Sequence, residues 1–397
     1  MEFKTIEKLS CYNQRVLLRL DLNVPISDGV ITDPTRIERS CATVKALMEK
    51  GAKIIILTHL GRPQGRDLKW STQCLLPALE RILKTEVAFL TDLVGPESIA
   101  FSRNLLPGQV ALAENVRFYA GESINDSAFA RSLAELGDFY VNDAFSASHR
   151  AHATTCGLAH ILPCAAGILM TEELIALEKA LGNPKRPLMA IVGGSKVSTK
   201  LRLLNNLVTK VNHLVVGGGM ANTFLLAEGK SIGFSLAEPD LVPEVKHIVN
   251  NALLHRCNII IPHDVLVQRD NGFADTAHVD HISNTDRILD FGPESVEQVI
   301  NVLKTCSTVV WNGPVGMFEQ KPFDTGTQAI AMAIAAQTQQ RTLLSIAGGG
   351  DTVAALNQAG CGHQFTYVST AGGAFLEWME GDDLPGVLAL DQGKPAT

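Results

Sequence analysis

Short apolar runs that end abruptly in glycines and a few polar residues constrain this chain more than any other feature. They read as strands at 15–20 (RVLLRL), 53–58 (KIIILT), 109–113 (QVALA), 138–141 (DFYV), 188–193 (LMAIVG), 213–217 (HLVVG), 258–262 (NIIIP), 308–312 (TVVWN), 342–347 (TLLSIA) and 365–369 (FTYVS). Most are apolar without alternation, the pattern of parallel strands covered by helices on both faces. Intervening segments such as 34–50 (PTRIERSCATVKALMEK) and 324–337 (DTGTQAIAMAIAAQ) carry helical spacing with polar starts. Repetition of strand and helix in this way predicts an α/β architecture.

A chain of 397 residues is long for one hydrophobic core, so two domains are expected. The break is placed after 160–170 (HILPCAAGILM), where 171–187 (TEELIALEKALGNPKRP) reads as one joining helix stopped by Gly182 and two prolines. That gives domains at 1–170 and 171–379, and leaves 380–397 with apolar residues but no clear element. With 46% hydrophobic and 19% charged residues the composition is that of a packed globule. A net charge of −7 argues against broad nucleic-acid binding while leaving room for a local basic pocket. The start, MEFKTIEKLS, lacks a basic-then-apolar leader, and no run is long enough for a bilayer span, so a cytoplasmic location is expected. Eight cysteines are scattered without C-x-x-C pairs or ligand-spaced histidines, which points to buried, reduced thiols.

In open parallel sheets, ligands bind outside the carboxyl ends of the strands. The first half places cations there: Arg36, His59, Arg62, Arg117, His149, Arg150 and His152, accompanied by Asp21 and Asn23. Taken singly, each reads equally well as a surface charge or a satisfied loop histidine. Their joint placement at strand exits favours a site for a small molecule carrying phosphate and carboxylate. A metal role for His149 and His152 is not expected, because no carboxylate or cysteine stands at ligand spacing.

The second half places glycines, lysines and one acid at its strand exits. Residues 193–200 (GGSKVSTK) resemble a P-loop at first sight, but that motif needs four residues between its first glycine and Gly-Lys-Ser/Thr. Lys196 and Lys200, four apart at the start of a helix, are expected on one face, reaching a common anion. Their cost against the helix dipole makes a bound polyphosphate a reason for them, although a solvated helix face is the plain alternative. In 348–352 (GGGDT), Asp351 reads as a helix cap or as a ligand of Mg²⁺ on nucleotide phosphates. A basic site on one domain and a glycine-lined polyphosphate site on the other predict phosphoryl transfer across a cleft, with closure that excludes water.

These stretches resemble one family from end to end, the phosphoglycerate kinases. The resemblance is carried by RLDLNVP, ITDPTRI, THLGRP, ENVRF, DAFSASHRAHAT, VGGSKVSTK, VVGGGMANTF, FGPES, WNGPVGMFE, AGGGDT and STAGGAFLEWMEG. It implies two Rossmann-like domains, each a parallel sheet with helices on both faces, facing across a hinged cleft, with the C-terminal tail returning to the first. It implies a monomer that transfers a phosphoryl group between 1,3-bisphosphoglycerate and ADP, with Mg²⁺ and with ATP/ADP as co-substrate. Asp21, Leu22, Asn23, Arg36, His59, Leu60, Gly61, Arg62, Arg117 and Arg150 would then bind phosphoglycerate. Lys196, Lys200, Gly217, Gly218, Gly292, Asn312, Pro314, Glu319 and Gly349, Gly350, Asp351 and Thr352 would hold the nucleotide, with Asp351 on Mg²⁺ in place of a capping role. Arg36 and Lys196, helped by backbone N–H groups near Gly372 and Gly373, would stabilise the moving phosphoryl group. The acceptor is a carboxylate, already ionised at neutral pH, so no general base is required.

Two departures from the family pattern bear on the site. At 370–374 (TAGGA), Ala371 stands for a glycine, with Phe375 for a small polar residue, and a positive φ at Ala371 would be strained. Ser146 in FSASHR likewise replaces a glycine. The rival reading, a non-catalytic nucleotide-binding or scaffold protein, predicts loss of Arg36, Lys196, Lys200 or Asp351, and all four are present. A dehydrogenase would need G-x-G-x-x-G after the first strand, where the chain has DLNVP.

Overall fold

All ten expected strands form, and with two more they make two six-stranded parallel sheets. The computed structural model describes residues 3–27 and 30–392. Its chain makes two compact units, one running to Leu174 and resuming at Asp383, the other spanning Ile175–Asp382.

The first unit contains β1 (Arg15–Arg19), β2 (Ile26–Ser27), β3 (Val30–Ile31), β4 (Lys53–Leu57), β5 (Val87–Leu90), β6 (Val110–Ala113), β7 (Phe139–Asn142) and β8 (Cys164–Ala166). Its sheet order is β5-β6-β4-β1-β7-β8, and β2 pairs with β3 as a small antiparallel ribbon. Alternate residues of the central strands, Leu18, Ile54, Ile56 and Leu112, pack with Ile37, Val44 and Leu47 of the helix Thr35–Glu49. Each such fully buried aliphatic side chain contributes roughly 1.5–3 kcal/mol. The strand order reverses between β1 and β7, whose register pairs Arg19 with Asn142. The loops leaving these two strands therefore emerge side by side.

The second unit contains β9 (Leu188–Val192), β10 (His213–Val216), β11 (Asn258–Ile260), β12 (Asp264–Gln268), β13 (Ala274–His278), β14 (Arg287–Phe291), β15 (Thr308–Asn312), β16 (Leu344–Gly348) and β17 (Tyr367–Ser369). Its main sheet has the order β11-β10-β9-β15-β16-β17, so here the reversal falls between β9 and β15. Met189, Ile191, Val309 and Trp311 meet Ile330 and Ile334 of the helix Thr325–Gln339 in its core.

Several elements differ from the sequence reading. An antiparallel sheet, β13-β12-β14, was not expected; it has its own small core around Val265, Val267 and Ile288. β8 has only Cys-Ala-Ala, without the branched residues that mark strands, and β5 is four residues long. The joining helix starts earlier than expected, at Ile168, runs to Leu177, and ends in a π-helical turn over Glu178–Gly182. The division between units falls inside this helix, at Leu174 and Ile175, rather than before Thr171, and the second crossing falls at Asp382 and Asp383 rather than at 379 and 380. The reason is local: Asp143 accepts from the backbone N–H of Met170 (2.9 Å) and the Thr43 hydroxyl (2.5 Å), and Thr43 accepts from Ile168 N–H, so the first turn belongs to the first unit. The patternless C-terminal stretch forms a helix, Pro385–Gln392, in the first unit. Leu384, Val387, Ala389 and Leu390 are buried there, and Gly386 N–H donates to the Ser148 carbonyl (2.8 Å). All eight cysteines are unpaired thiols, seven of them buried.

Candidate functional site

In the first unit the cationic and polar residues singled out in the sequence gather around the reversal of strand order. Asp21 and Asn23 leave β1 and hold each other through Asn23 N–H on Asp21 Oδ1 (3.1 Å). Arg36, in the first turn of the helix Thr35–Glu49, donates from Nη1 to Asp21 Oδ2 (2.7 Å) and to the Asn23 carbonyl (3.2 Å). Asn23 Oδ1 accepts from Gly61 N–H (2.9 Å), tying the exits of β1 and β4 together, and Gly61 takes a φ of +60° there. The Gly61 carbonyl in turn accepts from Arg117 Nη1. Leu22 and Leu60 are buried beside these polar groups, Arg62 and Arg150 are exposed, and Arg150 Nε donates to His149 Nε2 (3.1 Å).

Beneath them lies a buried charge network that the sequence reading missed. Arg19, 1% exposed at the end of β1, donates from Nε to Thr154 Oγ1 (2.9 Å) and from Nη2 to His59 Nδ1 (3.0 Å). Glu122, fully buried, accepts from Thr154 N–H (3.0 Å) and Oγ1 (2.5 Å). Burial pushes the Glu122 carboxyl up, while Arg19 and Thr154 oppose that shift. Burial, then the charge of Arg19, drives His59 well below the ordinary histidine range, and the same causes take His152 down to about 4. Both are neutral at pH 7, so the His152 Nδ1 to Glu122 Oε1 approach of 3.8 Å is not an ion pair. Arginine only donates, so His59 Nδ1 is an acceptor and its proton sits on Nε2. Arg117, desolvated and facing Arg19 and Arg150, is lowered to about 10, the mark of a cation cluster in need of an anion. The one legible signal of this network was Arg19 itself, a charge inside the apolar run RVLLRL.

The second unit gathers its groups where β9 and β15 exit side by side. Lys200 Nζ donates to the carbonyls of Gly193 (2.6 Å) and Asn312 (3.0 Å) and to Asn312 Oδ1 (2.7 Å), and burial lowers its pKa to about 8. Asn312 Nδ2 donates to the Gly348 carbonyl (2.9 Å), and Gly313 N–H to Thr352 Oγ1 (2.7 Å), joining the third exit to the other two. The expectation that both lysines share a helix face is not met. A 3-10 turn, Val197–Thr199, separates them, the helix starts only at Leu201, and Lys196 is exposed while Lys200 is tied inward.

A cavity of about 630 Å³ opens beside these exits, lined by Gly218, Pro314, Glu319 and Asp351 among the expected residues. Its wall also carries Phe234, Leu236, Leu289 and Met317, which the sequence reading did not single out, because the β12–β14 sheet that brings some of them in was itself unseen. Gly217 and Gly292 serve close packing: a Cβ would lie 2.6 Å from the Val315 Cα and 2.2 Å from Asp264 Oδ2 respectively. Gly349 precedes the helix Gly350–Gln358, which has no side-chain cap, so Asp351 does not act as one. At 370–374 the positive φ falls on Gly372 (+52°); Ala371 is not among the positive-φ residues, so the condition under which it would be strained is not met. Phe375 is fully buried against Gly348, where a Cβ would meet its ring at 2.5 Å.

A desolvated cation cluster on one α/β unit, and on the other a glycine-walled cavity carrying Glu319 and Asp351 next to the strand exits that hold Lys200, define a phosphoryl-transfer enzyme. Comparison with known proteins narrows that class. The sequence profile of the phosphoglycerate kinase family matches residues 6–382. The phosphoglycerate kinase of Rhodospirillum centenum is 54% identical over 395 residues, covering 98% of this chain and 100% of that protein. Among solved structures, phosphoglycerate kinase from Coxiella burnetii superposes with a TM-score of 0.92 at 41% identity, over 98% of this chain and 99% of that one. The phosphoglycerate kinase of Pyrococcus horikoshii OT3 does so at 0.80 with 29% identity, over 98% of each chain. The chain belongs to the phosphoglycerate kinase family.

Proposed function

We propose a division of labour for the reaction of this family, reversible transfer of a phosphoryl group from 1,3-bisphosphoglycerate to ADP. The first unit takes phosphoglycerate through Arg36, Arg62, Arg117 and Arg150, with His59 donating from Nε2 and Asp21 and Asn23 orienting the rest. The second unit takes the nucleotide. Its apolar wall receives the base, Lys200 and the N–H groups of Gly349 and Gly350 meet the phosphates, and Glu319 lies on the cavity wall. Arg36 and Lys196, with N–H groups near Gly372 and Gly373, neutralise the charge of the moving phosphoryl group. No residue abstracts a proton, because the attacking group is a carboxylate in one direction and a diphosphate oxygen in the other.

Mg²⁺ fits the donors present. No cluster of three or more ligating side chains occurs among the described residues, but Asp351 brings a carboxylate to the cavity, and Mg²⁺ is commonly held by one or two carboxylates plus substrate phosphates. When bound it would supply charge neutralisation on the nucleotide phosphates. Among the described residues no helix is long and apolar enough to cross a membrane. A cytoplasmic, monomeric enzyme is the reading we adopt.

The match of the family profile over residues 6–382, with Arg36, Lys196, Lys200 and Asp351 in place, carries the proposal. A coupled assay for MgATP-dependent phosphorylation of 3-phosphoglycerate tests it; a folded protein without turnover refutes it. Lys196→Ala is expected to lower kcat at least about a hundredfold with little change in the KM for ATP, since its contact is strongest in the transition state. Arg62→Ala is expected to raise the KM for 3-phosphoglycerate selectively; a selective effect on ATP would reverse the assignment of the two units.

A further inference from the structure

Ser146, which stands where the family pattern has glycine, lies next to the anion-binding groups of the first unit. It leaves β7 in a 3-10 turn, Phe145–Ala147, whose flanking Phe145 and Ala147 are buried while Ser146 is half-exposed. Because β1 and β7 are neighbours in register, the turn after β7 abuts the loop after β1, and the Ser146 hydroxyl donates to Asp21 Oδ2. That is the same oxygen that accepts from Arg36 Nη1, on a carboxylate only 13% exposed.

The turn itself is held rigidly. Ala147 N–H donates to the Ala144 carbonyl (3.0 Å), Ser148 N–H to Phe145 (2.9 Å), and Asn142 Oδ1 accepts from Ala144 N–H (3.0 Å). From the far side, Gly386 N–H holds the Ser148 carbonyl (2.8 Å). A rigid donor on a nearly buried carboxylate fixes its plane, and that plane decides where Arg36 presents its remaining N–H groups.

We infer that Ser146 is a positioning residue for phosphoglycerate recognition, acting through Asp21 on the Arg36 guanidinium. A glycine there has no hydroxyl, so in this chain the Asp21–Arg36 pair has a support that the family pattern lacks. The inference rests on the proposed placement of phosphoglycerate in the first unit. It predicts a substrate-selective effect, since Ser146 contributes nothing to the nucleotide cavity.

Steady-state kinetics of Ser146→Ala and Ser146→Gly test this. We expect the KM for 3-phosphoglycerate to rise roughly three- to tenfold, the range of one ordinary hydrogen bond, with the KM for ATP unchanged. In an Asp21→Asn background, where that bond is already weakened, Ser146→Ala is expected to add less than about twofold. An unchanged KM for 3-phosphoglycerate in an active wild-type background overturns the role of Ser146 alone, as do equal rises in both KM values or full additivity with Asp21→Asn. A wild-type protein that fails to phosphorylate 3-phosphoglycerate overturns this inference and the proposed function together.

Discussion

Lys200 has three oxygen acceptors around its ammonium and a pKa lowered to about 8, chiefly by burial. If its charge serves the nucleotide phosphates, kcat/KM for ATP should fall as pH rises through about 8, while kcat should hold to higher pH, because a bound phosphate raises the lysine pKa. Its effect on stability has the opposite sense. Between about 8 and the ordinary lysine value the unfolded chain binds more protons than the native one, so the contribution of Lys200 to stability rises with pH over that window. Titrating kcat/KM and the denaturation midpoint over the same range separates the two. Arg19 makes a different case. Arg19→Met would leave Glu122 buried without its cation and release Nδ1 of His59, at a cost of about 3–5 kcal/mol measurable by chemical denaturation. The exposed arginines could be picked out of the sequence because they stand in polar strand exits. Arg19 could not be given a role there, since only its burial distinguishes it from a solvated charge.

Paired strand exits do in each unit what neither strand does alone. At β9 and β15 a Cβ on Gly193 would fall 1.7 Å from the Pro314 carbonyl oxygen, so the two exits touch only because residue 193 has no side chain. Gly218 combines a φ of +66° with a Cβ position 2.6 Å from the Gly194 carbonyl oxygen. Gly193→Ala should therefore destabilise the second unit by about 2–4 kcal/mol and weaken nucleotide binding. Gly350 has open space around it, and Gly350→Ala should change stability by less than about 1 kcal/mol. Thermal unfolding of both variants checks the contrast. The long apolar strands and amphipathic helices were legible because their periodicities are local. The β12–β14 sheet was not: β13 is ADTAH, exposed at four of its five positions, and only its partners make it a strand.

The first unit is closed by chain that comes after the second unit, so it is complete only once the second unit and the segment from Asp383 have been made. Deleting residues from Asp383 onward would remove the buried Leu384, Val387, Ala389 and Leu390 and the Gly386 bond to Ser148. By the usual value of buried aliphatic groups this should cost several kcal/mol, on the order of 4–8, confined to the first unit. Hydrogen exchange should show lost protection there and retained protection in β9, β10 and β15. Phosphoglycerate binding should weaken with it while nucleotide binding survives.

The sequence by itself determined the α/β class, the strand exits and the charged residues placed on them, because strand and helix periods and turn chemistry act over a few residues. It carried the family resemblance as well. Tertiary structure decided what those residues touch: that Lys196 and Lys200 part company across a 3-10 turn, that Arg19 and Glu122 share a buried network, and that Ser146 reaches Asp21. The last two depend on which strands become neighbours at the reversal of sheet order between β1 and β7. That order is set by packing between segments more than a hundred residues apart in some cases, as for β1 and β7, and no local pattern records it.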